Sequence, residues 1–94
     1  MKVIFKNEEL EPKWGFQQLI LFEKLMKRPY LGTNLEDHLV YLYCALIVAL
    51  KDKVTYEEFF EFVDANPDVV EEWLKYLSES IGLKEEDKKE DKKE

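Results

Sequence analysis

The chain has few of the residues that small proteins use for covalent cross-links or phosphate binding. Its 94 residues include one cysteine, one histidine, three glycines and three prolines. The single cysteine, Cys44, excludes an internal disulfide framework, and its place inside an apolar run indicates a small buried side chain. None of the glycines stands in a phosphate-binding pattern, so no nucleotide-binding loop is predicted.

Long apolar runs are also missing. The longest, Leu39–Leu50, is far shorter than the ~20 residues of a membrane-spanning helix. The N-terminus does not resemble a secretory signal, because Lys2, Lys6 and Asn7 interrupt its apolar residues. We therefore predict a soluble, cytoplasmic protein that has no membrane partner.

Residue types that bind metals or act as nucleophiles do not form a site in the sequence. His38 and Cys44 are six residues apart, which does not place them on one helix face, and no second His or Cys completes a metal site. A cysteine–histidine nucleophilic pair is formally possible, but no orienting group stands beside it. We expect no metal, no cofactor and no enzymatic activity.

One acidic segment superficially matches a calcium-binding loop. Asp64, Asn66 and Asp68 alternate as calcium ligands do, but Val69 occupies the position that needs glycine and Lys75 the position that needs glutamate. Helix capping explains these residues better than calcium binding does.

The net charge of −7 belongs mainly to the body of the chain. Residues 84–94 hold five Lys and six Asp/Glu, whereas the remainder holds nine Lys/Arg and fifteen Asp/Glu. An acidic body repels phosphate backbones, so nucleic-acid binding is disfavoured. A solvated acidic surface is the simpler interpretation, and a basic protein partner is the alternative.

Hydrophobic periodicity predicts a mainly α fold. A hydrophobic content of 46% is ample for a core, and we expect a compact bundle of about four helices in a single domain at residues 1–82. A short β-hairpin at residues 2–14 precedes the helices, and a disordered, charged tail at residues 83–94 follows them. The predicted helices cover Gly15–Arg28, the segment from a cap at Thr33 to about Lys51, Tyr56–Asp64 and Pro67–Ser80.

The predicted hairpin has strands at Lys2–Lys6 and Leu10–Trp14 that flank a turn at Asn7–Glu9. Pro12 lacks an N–H donor and therefore places the second strand at an edge.

Three capping signals in the sequence predict where helices begin. Thr33–Glu36 and Thr55–Glu58 both match the capping box, in which a hydroxyl and a carboxylate bind backbone N–H groups reciprocally. Val54 and Phe59 match a hydrophobic staple around the second box. Asn66 followed by proline predicts a capped start for the last helix.

The second predicted helix is apolar on all sides from Leu39 onward. A helix of this kind lies at the centre of a domain or is partly covered by a partner. Leu39–Leu50 is therefore also a candidate self-association helix.

Aromatic residues are unusually dense near the corner between the last two helices. Successive residues rotate by about 100° around a helix, so Phe59, Phe60 and Phe62 cannot all face one core. Either the third helix is packed on two sides, or part of its aromatic surface binds a protein. The cluster comprises Tyr56, Phe59, Phe60, Phe62, Trp73 and Tyr76.

The order of these elements is similar to a known family. A short hairpin leads to WGFQQLILFEKL, then to LEDHLVYLYCALIVALKD, and then to VTYEEFFEFVDANPDVVEEWLKYLSES and a charged tail. Over residues 2–80 this pattern resembles the tail assembly chaperones of long-tailed bacteriophages.

The resemblance implies a non-catalytic function in the host cytoplasm. Such chaperones bind the long, aggregation-prone tape-measure protein and keep it soluble while tail-tube subunits assemble around it. They tend to self-associate, and a frameshift-extended form recruits the tail-tube protein. The chain would correspond to the short form.

A chaperone of this kind needs exposed apolar surface for its client. The alternative function is a small acidic adaptor or inhibitor that binds another protein. For either function the candidate surface residues are Tyr41, Tyr56, Phe60, Phe62, Trp73 and Tyr76.

Overall fold

The computed structural model describes residues 1–80 and shows a mainly helical fold preceded by a two-stranded hairpin. This confirms the predicted fold class, while the predicted tail at 83–94 lies outside the described residues. The elements are β1 (Val3–Phe5), β2 (Glu8–Leu10), α1 (Phe16–Met26), α2 (Leu35–Leu50), α3 (Tyr56–Ala65) and α4 (Pro67–Ser80).

The hairpin closes through a turn of two residues. Lys6 and Asn7 both adopt left-handed conformations, with φ angles of 53° and 64°. Two such residues form the turn whose twist matches that of antiparallel strands. Phe5 therefore pairs directly with Glu8.

This tight turn corrects the predicted hairpin. The turn at Asn7–Glu9 and the second strand at Leu10–Trp14 are both wrong, because pairing resumes at Glu8 and ends at Leu10. Pro12 lies beyond the strand and is buried, so its missing N–H does not interrupt the ladder.

α1 ends two residues before the predicted end at Arg28. Lys27 adopts a left-handed conformation with φ of 61°, and its N–H donates to the carbonyl of Glu23 at 2.8 Å. This left-handed cap completes the last helical turn. The side chain of Arg28 then extends from the connector and contacts Asp37.

α2 begins with a different cap from the predicted one. The side chain of Asn34 accepts a hydrogen bond from the N–H of Asp37 at 2.8 Å, so the capping box at Thr33–Glu36 is wrong. Asparagine is preferred over threonine at this position, which is consistent with a start one residue later.

The middle of α2 is the centre of the domain, as its apolar sequence predicted. Every residue from 40 to 46 is buried, and the helix contacts α1, α4 and β2. The domain's own core covers this stretch, whereas Leu39 and residues 47–50 of the candidate self-association helix are half-buried, so self-association stays a prediction.

The cap of α3 confirms the predicted capping box. Glu58 N–H donates to the Thr55 hydroxyl at 3.1 Å, and Thr55 N–H donates to the Glu58 carboxylate at 3.0 Å. Val54 and Phe59, the predicted staple, are both buried. Together these contacts set the direction of α3.

Asn66 acts at the corner between α3 and α4. Its side-chain amide donates to the carbonyl of Phe62 at 2.9 Å, and its N–H donates to the carbonyl of Val63 at 3.2 Å. These contacts close the end of α3, and the Asn66 carbonyl accepts the N–H of Val69 in the first turn of α4. α4 has the predicted bounds, with Trp73 and Leu77 buried.

Candidate protein-binding surface

Two of the six candidate surface aromatics lie in the core. Tyr41 and Trp73 are fully buried, so the prediction that they are exposed is wrong. The Tyr41 hydroxyl accepts the N–H of Gly15 at 3.1 Å, and the Trp73 indole donates to the carbonyl of His38 at 2.9 Å. Their rings meet edge to face with centroids 5.7 Å apart. Their polar atoms thus bind backbone groups inside the protein and leave no group for a partner.

Two further candidates are half-buried and hold elements together. Tyr76 stacks on Trp73, and its hydroxyl accepts the N–H of Trp14 at 3.0 Å. Phe62 packs edge to face on Phe5 of the hairpin, with centroids 5.0 Å apart. α3 is therefore packed on two sides, because Phe62 contacts the hairpin while other residues of the helix face the bundle core.

The remaining candidates, Tyr56 and Phe60, form an exposed pair on α3. Their exposed fractions are 43% and 42%, and their ring centroids are 6.1 Å apart. Tyr56 stacks on the buried Tyr43 at 4.6 Å, and Phe60 lies edge-on to the buried Phe59 at 5.3 Å. The core thus holds both rings from behind, while their outer faces are open to solvent.

This pair forms one wall of an apolar groove. Leu35 and Leu39 at the start of α2 form the opposite wall, and Leu35 is 56% exposed. The groove has a volume of about 480 Å³. We call it the α2–α3 groove, and it is lined by Met26, Leu35, Glu36, Leu39, Val40, Tyr56 and Phe60.

An ion pair between the buried Asp37 and the partly exposed Arg28 fixes the α2 wall of this groove. Asp37 is fully buried, and its carboxylate oxygens lie 2.6 and 3.0 Å from the two terminal nitrogens of Arg28. These hydrogen bonds hold the pKa of Asp37 below its usual value. Since Arg28 follows α1 and Asp37 is in the first turn of α2, the pair holds Met26 near Leu35.

The loop before α3 fixes the other wall. The buried hydroxyl of Tyr43 donates to the carbonyl of Val54, immediately before the Thr55 cap. Lys6 binds the carbonyl of Lys53 at 3.4 Å and the carboxylate of Glu58 at 3.2 Å. Contacts with α2 and with the hairpin therefore hold the start of α3 in place.

Burial shifts the pKa values of three titratable side chains, and in each case it favours the neutral form. Burial lowers the pKa of His38, whose Nδ1 lies 2.8 Å from the hydroxyl of Tyr30. Burial also raises the pKa of Tyr30 and of Cys44 to about 12. Cys44 is buried, and this burial favours its protonated thiol.

A second apolar groove lies beside the end of α4. Trp14, Leu19, Leu31 and Leu74 line much of it, and its volume is about 430 Å³. The chain continues beyond Ser80 from this end of α4. In contrast to this second groove, the α2–α3 groove has no α4 residue in its lining.

No cluster of metal-binding side chains occurs among residues 1–80. In the same part of the chain, no helix combines the length and the apolar character that crossing a membrane requires.

The sequence reasoning found one wall of the groove and missed the other. Tyr56 and Phe60 are among the predicted surface residues, whereas Leu35 and Leu39 belong to the apolar stripe of the second predicted helix, and only Leu39 lies in the candidate self-association segment. Their spacing of one helical turn was visible in the sequence. The sequence did not show that this stripe extends past the core at the start of α2.

Comparison with protein-family models, curated proteins and solved structures yields no match.

Proposed function

We propose that the protein is a non-catalytic chaperone that holds an apolar helical segment of a client in the α2–α3 groove. The observation that carries this proposal is the partly exposed apolar lining formed by Leu35, Tyr56 and Phe60. We further propose that the client is the tape-measure protein of a long-tailed phage during tail assembly. The support for this client is the resemblance of the element order and residue types over residues 2–80 to those of tail assembly chaperones.

The spacing of the groove walls suits a helix. Leu35 and Leu39 are four residues apart on α2, and Tyr56 and Phe60 are four residues apart on α3. Each wall therefore presents two side chains at the repeat of one helical turn. An amphipathic helix presents its apolar residues at the same repeat, which is the basis of helix-in-groove recognition.

The amount of apolar surface favours reversible binding. Fully burying one large apolar side chain stabilises a complex by roughly 1.5–3 kcal/mol. Leu35, Tyr56 and Phe60 are already about half buried, so each gains only part of this amount. Since association also carries a large entropic cost, we expect dissociation constants on the order of micromolar. Weak binding of this kind allows a client to be released as the tail tube replaces the chaperone.

The direct test is co-expression with a candidate client, the tape-measure protein of a long-tailed phage. We expect the client to stay soluble and to elute together with the wild-type protein. Phe60→Ser and Tyr56→Ser should fold normally and lose the client. If the client remains insoluble with the wild-type protein, the proposed function is wrong.

Phe16→Ser is the matched control. Phe16 is 77% exposed and lies at the start of α1, whereas the groove contacts α1 at Met26. Ten residues of helix separate the two positions by about 15 Å. Phe16→Ser should keep the client soluble, and an equal loss in both variants would show that general surface apolarity, and not the groove, holds the client.

A second candidate function is a small acidic adaptor or inhibitor that blocks a basic protein surface. The observation that favours it is the charge of α3 and α4, where eight Asp/Glu stand against one Lys over residues 54–80. Genomic neighbourhood separates the two functions. An overlapping reading frame followed by a long coiled-coil gene would favour the chaperone, and its absence would favour the adaptor.

A further inference from the structure

We propose that the α2–α3 groove selects a cationic amphipathic helix, in which Lys or Arg residues flank the apolar stripe that enters the groove. This inference rests on the proposed function in one respect, which is that the groove binds a helix. It adds the charge of the partner, which follows from how the acidic residues are placed around the groove.

Charge is distributed very unevenly along the chain. Residues 1–53 contain eight Lys/Arg and seven Asp/Glu, so their net charge is +1. Residues 54–80 contain one Lys and eight Asp/Glu, so their net charge is −7. The segment that includes α3 therefore carries a net charge equal to that of the whole chain.

The acids of α3 lie next to the groove side of this helix, on the face that points away from the core. The buried side of α3 is formed by Phe59 and Val63. With a rotation of about 100° per residue, the order around the helix from this side runs through Tyr56 and Phe60 to a set of acids. This acidic rim consists of Glu57, Glu61 and Asp64.

The opposite wall also has an acid at its edge. Glu36 lines the groove between Leu35 and Leu39, and its side chain is 71% exposed. Arg28 lies 3.9 Å from Glu36 but only 2.6 Å from Asp37, so its charge is directed mainly to Asp37. Lys27 and Arg28 follow the lining residue Met26 in the chain. Glu36 thus lies in the α2 wall, and the acidic rim follows Phe60 around α3 beside the other wall.

The acidic rim is not neutralised within the described domain. Ion pairs among residues 1–80 join Lys2 to Glu9, Lys6 to Glu58, and Arg28 to both Glu36 and Asp37. None of them includes a residue of the acidic rim. A helix with basic flanks would place its cations beside these carboxylates while its apolar stripe contacts Tyr56 and Phe60.

The solvent exposure of the acidic side chains determines how strongly the groove prefers a basic partner to an acidic one. Ion pairs between exposed side chains are individually weak and are screened by salt. Several such pairs around one apolar contact mainly govern the choice of partner and the rate of association. We expect the dissociation constant of a basic helix to be roughly tenfold lower than that of an acidic helix at low salt. The difference should fall to about twofold at high salt.

Two labelled helical peptides test this inference with the full chain. Both carry the same apolar stripe, and one has Lys while the other has Glu at all flanking positions. Fluorescence anisotropy at 50 mM and 500 mM salt measures the two dissociation constants. The Lys peptide should bind about tenfold more tightly at 50 mM, and equal affinity of the two peptides there would overturn the inference.

Two charge-reversal variants locate the effect. Glu57→Lys combined with Glu61→Lys should weaken the Lys peptide and strengthen the Glu peptide. Glu71→Lys combined with Glu72→Lys makes the same change of net charge on α4, which does not line the groove. This control should have a smaller effect, and an effect as large as that of the α3 variant would overturn the assignment to the groove rim.

Failure of the inference differs from failure of the proposed function. If both peptides bind equally and Phe60→Ser abolishes both, the groove binds helices but the acidic rim does not select among them. If neither peptide binds at either salt concentration, the groove itself does not bind helices and both proposals are wrong. Circular dichroism of each variant confirms that loss of binding is not loss of folding.

Discussion

Two groups of aromatic residues differ in what their polar atoms contact. In the first group, Tyr41, Trp73 and Tyr76 each form a hydrogen bond with the backbone of another part of the chain. In the second group, Tyr56 and Phe60 are held from behind by other rings and are open on their outer faces. The same residue types therefore stabilise the fold in one region and form a surface in the other.

The first group connects segments that are distant in sequence. Tyr41 joins α2 to Gly15 at the start of α1, and Trp73 joins α4 to His38 in α2. The Tyr41 hydroxyl provides the partner of the Gly15 N–H, and the His38 carbonyl provides the partner of the buried indole N–H of Trp73. An exposed pair on one short helix satisfies no such group, so it can change with much less effect on stability.

The largest expected contrast is between the adjacent residues Phe59 and Phe60. Phe59 is fully buried, and Phe59→Ala should reduce the free energy of unfolding by about 3–5 kcal/mol. Phe60 is 42% exposed, and Phe60→Ala should reduce it by about 1 kcal/mol or less. Urea unfolding followed by circular dichroism measures both values. Similar losses in the two variants would contradict the division of the aromatics into core and surface.

We expect a smaller change in stability on loss of the Arg28–Asp37 ion pair, and this change depends on pH. The pKa of Asp37 is lowered in the folded state by its hydrogen bonds to Arg28. The unfolded chain therefore takes up a proton first as pH falls, and the stabilisation by Asp37 is present above about pH 4 and lost below it. Thermal unfolding from pH 7 to pH 2 should show a steeper loss of stability in the wild type than in Asp37→Asn. Parallel curves would show that this pair contributes nothing to acid sensitivity.

The smallest contrast concerns two tyrosine hydroxyls. Tyr41→Phe removes the acceptor of the Gly15 N–H and should reduce the free energy of unfolding by about 1 kcal/mol. Tyr56→Phe is the control, because the Tyr56 hydroxyl makes no side-chain hydrogen bond in the described part of the chain and the ring is 43% exposed. It should change stability by about 0.5 kcal/mol or less. Chemical denaturation resolves this difference, and a larger loss in Tyr56→Phe would assign that ring to the core.

Local signals in the sequence predicted most of the helical architecture. The capping box at Thr55 and the proline at the start of α4 act over a few residues, so their effect is visible without a tertiary structure. The predicted turn and second strand of the hairpin are wrong because Lys6 occupies a left-handed turn position that usually favours glycine or asparagine. The all-round apolar sequence of α2 allowed a central position or cover by a partner, and the burial of residues 40–46 in the domain core supports the first.

The candidate site was only partly predictable for a different reason. Composition identified a surplus of aromatics, but Tyr41 and Trp73 became core residues through bonds to backbone groups at least 26 residues away. Leu35 and Tyr56 line one groove because tertiary contacts hold α2 and α3, among them the Arg28–Asp37 pair and the bond from Tyr43 to the Val54 carbonyl. Such tertiary contacts leave no periodic signal in a single sequence.

The placement of the tryptophans has an optical consequence. Trp73 lies in a dry environment beside Tyr41 and Tyr76, so unfolding should shift its emission to longer wavelengths. Neither Trp73 nor Trp14 lines the α2–α3 groove. A client without tryptophan can therefore occupy the groove while the intrinsic emission of the protein reports only whether the domain remains folded. One sample then yields integrity from its own fluorescence and occupancy from the label on the client.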